Sequence, residues 1–106
     1  MPKYLIAGSY SADGLKGLQR DKASGRQQAV RTALESVGGR LEATYFALGE
    51  DDVYLIADCP DNISAAALGI AASATGLVRT RTIALMTVEE VDRALEKTIN
   101  YRAPGR

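Results

Sequence analysis

Three consecutive acids, Glu50-Asp51-Asp52, follow Gly49 and stand directly before the apolar run Val53-Tyr54-Leu55-Ile56-Ala57. Adjacent carboxylates resist simultaneous ionisation, so one of them can carry a raised pKa, or the group can hold a cation weakly. The plainer expectation is a solvated turn, because contiguous acids are common in turns and a dedicated calcium loop spaces its ligands differently. Asp52, nearest the strand, is the carboxylate best placed to act as a base. Tyr4, Tyr10, Tyr45 and Tyr54 supply phenol hydroxyls that can orient a carbonyl or quinone-like oxygen, or simply pack at strand ends with the hydroxyl wet. Tyr4 and Tyr54 are the ligand-facing candidates among them, although alternation alone does not say which sheet face lines a cavity. Arg26, Arg79 and Arg81 have planar forks suited to a carboxylate or phosphate. Arg79 and Arg81 share one strand face and act as a pair or not at all; the alternative is a solvent-facing or inter-subunit ion pair. Arg26 falls in the first turn of a helix, where a cation needs a carboxylate mate, either Asp52 or an acid of a partner subunit.

What is missing narrows the chemistry further. The chain has no histidine, so a His-ligated zinc or haem and a Ser-His or Cys-His nucleophile pair are not available. Cys59 is the single cysteine. It precedes Pro60 at a strand-to-helix junction, which can lower a thiol pKa, but Asp58 and Asp61 beside it favour an inert packed thiol. Gly8 and Gly14 have the wrong spacing for a phosphate loop, and Leu15-Lys16 does not complete one. No metal and no cofactor are expected. Thirteen basic residues balance thirteen acidic ones among 106, leaving no field or basic run for nucleic acid. No segment is long enough for a signal h-region or a membrane span, which predicts a cytoplasmic protein with no membrane partner.

These side chains must be placed by one domain of ordinary size, expected over residues 1–98 with a loose tail at 99–106. Lys3 to Tyr10 is apolar on both faces and reads as a central strand. Ser11-Ala12-Asp13-Gly14 is turn chemistry that can also open a short helix. Ser24-Gly25-Arg26-Gln27 has the form of a capping box, followed by the stripe Ala29, Val30, Ala33, Leu34 and Val37 up to Gly38-Gly39. Strands over Arg40 to Leu48 and Asp52 to Asp58 form a hairpin. After Pro60 a helix puts Ile63, Ala66, Ala67, Ile70, Ala71 and Ala74 at helical spacing, and Gly76 closes it. Asn62 to Val78 has no charged residue, which suggests that this helix is covered on its second side as well, with Leu68 on that side. Leu77 to Met86 is the fourth strand. Thr87-Val88-Glu89-Glu90 is a capping box opening a last helix whose Val91, Leu95 and Thr98 are expected to face inwards.

The order β-α-β-β-α-β is the split β-α-β, ferredoxin-like arrangement, an α+β fold with helices on one face of a four-stranded antiparallel sheet. Tyr4, Leu5, Ile6, Tyr45, Phe46, Tyr54, Leu55 and Ile56 fall on both sides of their strands, so the other face carries too much apolar surface for a monomer. A homodimer, or an assembly of dimers, with sheets face to face is expected. From Tyr4 to Val91 the chain resembles the GYD domain family, through the Tyr4 strand, Gly14, the Arg26 helix ending in Gly38-Gly39, the Gly49 to Val53 segment, Pro60-Asp61 and Arg79-Thr80. The family is named for a Gly-x-Tyr-Asp segment. Here Gly49 and Asp52 fit while Asp51 replaces the tyrosine, so any role for that hydroxyl is lost. The resemblance implies a dimeric α+β barrel, and relatives of that fold include cofactor-independent enzymes acting on hydrophobic carbonyl or phenolic compounds. On that implication Tyr4 or Tyr54 orients a ligand oxygen, Arg26 or Arg79 stabilises negative charge, and Asp52 is the base. The competing expectation is a non-catalytic oligomerisation or regulatory domain.

Overall fold

A strand that is apolar on both faces has to be interior, and Lys3–Tyr10 (β1) is. The computed structural model describes residues 1–106. After β1 come α1 (Ala12–Ser36), β2 (Arg40–Phe46), β3 (Val53–Asp58), α2 (Asn62–Ser73), β4 (Val78–Leu85) and α3 (Val88–Leu95). The strands lie in the order β2-β3-β1-β4, all antiparallel, which is the α+β topology expected from the order of elements. One face of the sheet packs on α1 and α2 around Tyr4, Ile6, Leu34, Leu41, Val53, Leu55, Ala57, Cys59 and Ala65. The register lays the rows Tyr45-Tyr54-Ala7-Arg81 and Ala43-Ile56-Leu5-Ile83 across the opposite, open face.

The first helical stretch is two helices, as expected, joined across a kink, but the second does not begin where its capping pattern suggests. The stretch starts at Ser11, whose hydroxyl accepts the Gly14 N–H at 3.0 Å, and runs to Ser36 with a break at Lys22, where φ is 65° and ψ 166°. The interruption therefore precedes Ser24-Gly25-Arg26-Gln27, and Ser24 does not cap a helix start. Its docking is tight at Gly14, where an added Cβ would lie 2.0 Å from the Leu77 carbonyl oxygen; only glycine lets the helix and the β4 approach meet so closely.

Two further expectations are corrected. The sheet-facing side of α2 is Ala65, Leu68, Gly69 and Ala72, while Ile63 (80% exposed) and Ile70 point outwards. Small residues face the sheet because they allow a close helix approach, and Leu68 belongs to this inner side. The final helix forms with both halves of its Thr87–Glu90 capping box present, yet buries no residue. Val91 and Leu95 are exposed rather than inward-facing, because β4 is an edge strand and α3 continues past the end of the sheet. The molecule accordingly measures 55 Å along its longest axis. No helix is long and apolar enough to cross a membrane.

Candidate functional site

The helix layer does not close completely on the sheet. Between α1, α2 and the covered sheet face lies a cavity of about 280 Å³, with 11 hydrophobic residues among the 17 that line it. Ile6, Val53, Leu55 and Phe46 form its sheet side, and Val30, Ala33, Leu68 and Ala72 its helix side. Alternation along β1 and β3 supplies the first group, and the inner stripes of α1 and α2 supply the second. Polar groups in the wall come from Tyr10, Arg26, Gln27, Thr44 and Thr80. Thr80 is engaged, its hydroxyl lying 3.1 Å from that of Ser73. Thr44 is not: its buried hydroxyl has no hydrogen-bond partner, and a buried polar group without one is costly to leave so. Arg26 also borders a neighbouring cleft beneath the first half of α1, shared with Tyr10, Ala72 and Val78. Its partner is Asp21 at 3.6 Å, across the Lys22 break, rather than Asp52.

A second polar cluster sits on the open face. Arg81 donates to the Asp51 carboxylate at 2.5 Å, Tyr54 donates to the same carboxylate at 3.2 Å, and Ser9 donates to it at 3.1 Å. Tyr54 and Arg81 both flank Ala7 in the cross-strand register, and that small residue leaves room for their side chains to converge above it. The Arg81 guanidinium, and after it the Ser9 and Tyr54 hydroxyls, hold the Asp51 carboxyl below its ordinary value despite desolvation. The Tyr54 hydroxyl is pushed up, first by its bond to Asp51 and then by desolvation. An ionised carboxylate with three donors is a poor proton acceptor, and a phenol tied to it is a poor acid, so this cluster fixes charge rather than moving protons. At the other end of the same face Asp58 accepts from Lys3 at 2.9 Å and Arg40 at 3.0 Å.

The residues singled out by sequence are thus distributed rather than assembled. Arg26 lines the cavity. Tyr4 is core, its hydroxyl donating to Asn62 Oδ1 at 2.5 Å, with burial raising its pKa. Tyr54 lies on the open face, as does exposed Arg79, which stands opposite Ser9. Asp52 accepts the Tyr10 N–H at 2.8 Å, while its own N–H goes to the Gly8 carbonyl. The acidic turn is therefore clamped to β1 through Asp51 and Asp52, whose carboxylates serve separate partners, while Glu50 stays exposed. No group of three or more potential metal-ligating side chains occurs. Cys59 is fully buried, and desolvation, then Asp58 and Asp61, push its thiol up.

A family model, the GYD domain, matches residues 4–95. The chain belongs to the GYD domain family. No curated protein and no solved structure matches it. In this GYD domain the sequence reasoning missed Asp51, Arg81 and Ser9 as one cluster and Thr44 as a cavity residue. The available signal for the cluster was the shared face of Arg79 and Arg81; its partner acid becomes visible only once Ala7 is known to lie between Tyr54 and Arg81.

Proposed function

We propose that this GYD domain binds a small, mainly apolar organic molecule with an acidic end in the cavity between its helices and sheet. The observation that carries the reading is the unpartnered Thr44 hydroxyl in a mainly apolar wall, since a ligand oxygen or N–H reaching it would satisfy it. Arg26 is the only charged residue in that wall, and in this reading its guanidinium pairs with the acidic group. The wall has hydroxyls, an amide and a cation but no carboxylate, so it favours holding a ligand over proton abstraction, and Asp52 is given no base role here. The site lies within one protomer's helix–sheet layer, not between two sheets.

Calorimetric titration with a matched series tests this: a medium-chain fatty acid, the corresponding alcohol, and an aromatic carboxylate. The acids are expected to bind more tightly than the alcohol, with Arg26→Gln abolishing the difference and Ala72→Phe, which fills the cavity, abolishing binding. Failure of every compound to bind, or equal affinities in the wild type and Arg26→Gln, would overturn the reading.

A second reading, self-association through the open sheet face, is supported by a different observation. Leu5, Ala43, Tyr45, Tyr54, Ile56 and Ile83 give that face an apolar middle between the two ionic clusters, and no element of the chain covers it. Two such faces meeting would form a homodimer.

A further inference from the structure

We infer that the ligand of the helix–sheet cavity is an α-amino acid with a large apolar side chain, its carboxylate taken by Arg26 and its ammonium by Asp21. This rests on the cavity reading above and names the class of molecule the cavity takes.

The cavity does not end at Arg26. Tyr10, Arg26, Ala72 and Val78 line both it and the cleft beneath the first half of α1, so the two spaces meet at these four residues. The register orders the sheet side by depth: Tyr10 stands opposite Val78, and Ile6, four residues back along β1, shares a row with Leu55 and Thr44. Four residues of strand cover about 13 Å. The mainly apolar space thus runs from the junction towards Thr44, and Arg26 at the junction is its only charged residue. An occupant of both spaces carries its ionic groups together at one end and its apolar body away from them.

The charged end is a pair rather than a lone cation. Asp21 and Arg26 are 3.6 Å apart, with side chains 52% and 35% exposed. So long and wet an ion pair contributes little, and ligand groups replace it at small cost. The break at Lys22 is what brings the two together. Residues five apart on a continuous helix point about 140° away from each other, whereas here both border the same cleft. A backbone conformation this rare outside glycine is typical of ligand clamps and switch regions.

This arrangement selects among acids. A simple carboxylate that takes Arg26 displaces Asp21 and leaves two like charges side by side. A zwitterion answers both. The nitrogen and carboxylate carbon of an α-amino acid are about 2.5 Å apart by ordinary bond lengths and angles, so its two charges lie against the Asp21–Arg26 pair as an opposed dipole. An amine alone leaves Arg26 unmatched and enters a cleft where Arg20 and Arg26 outnumber Asp21. The cavity volume, about 280 Å³, falls just below the roughly 300–1,000 Å³ of sites for drug-sized ligands, which suits a single large side chain.

Calorimetric titration of the full chain with phenylalanine, 3-phenylpropionate and phenethylamine, which share one apolar group and differ only in their charges, tests the inference. Phenylalanine is expected to bind about tenfold more tightly than 3-phenylpropionate, and phenethylamine most weakly. Asp21→Asn is expected to bring phenylalanine down to the level of 3-phenylpropionate. Continued binding of 3-phenylpropionate by that variant shows its fold to be intact. If 3-phenylpropionate or phenethylamine binds the wild type as tightly as phenylalanine, or if phenylalanine keeps its advantage in Asp21→Asn, the zwitterion is overturned while the cavity reading stands. Failure of all three to bind overturns both.

Discussion

Asp51 holds its charge where an unpaired carboxylate would be costly, 9% exposed at the base of Arg81. Its pKa is lowered on folding, chiefly by Arg81. A lowered carboxylate contributes stability that is present above the unfolded value, about 3.9, and is lost as pH falls through the folded value. Asp51→Asn is therefore expected to melt at a lower temperature than the wild type at neutral pH, with the gap closing below about pH 4. Thermal unfolding monitored by circular dichroism between those limits checks it, and a gap independent of pH would mean that shape rather than charge holds the cluster. Cys59 offers a contrast: buried and raised in pKa, it is expected to react with a thiol reagent only after unfolding, whereas rapid labelling of the native protein would place it at the surface.

Lys22 interrupts α1 in a backbone region that is almost exclusive to glycine, at a cost of about 1–3 kcal/mol. Lys22→Gly relieves that strain at the expense of greater freedom when unfolded, for an expected net gain of about 1 kcal/mol, or roughly 4–8 °C in Tm. An unchanged or lower Tm would show that the break carries no strain. The central place of β1 and the cap at Thr87 are legible in sequence because two-faced apolar runs and cap chemistry are local. The side of α2 that meets the sheet is not. Isoleucine spacing names an apolar stripe, but Ala65, Gly69 and Ala72 win the inner position because small residues let the helix come closer. The same limit hid the break at Lys22, since nothing in lysine's ordinary preferences announces a left-handed φ, and Ser24-Gly25-Arg26-Gln27 imitates a start that the helix does not use. Of the site, Arg26 is legible as a cation near a helix start, where a positive charge calls for a partner, whereas Thr44 becomes a candidate only when its neighbours in space are known.

Only 14 of 106 residues are buried, a small core for a chain of this size. On the self-association reading proposed above, assembly adds to folding by mass action, and Tm is expected to rise with protein concentration over a hundredfold dilution series read by calorimetry; a constant Tm would assign the full stability to the single chain. The contact between Gly14 and Leu77 has a bearing on time as well as on packing. The Ser11 N–H that opens α1 donates to the Leu77 carbonyl at 2.9 Å, a bond whose partners are 66 positions apart. A helix beginning near one end of the chain is thus completed by a peptide group near the other, and closing so long a loop is slow compared with winding the helix itself. The first turn of α1 is consequently among the last parts of the domain to set, waiting for the edge strand to arrive and acting as the latch that closes the topology.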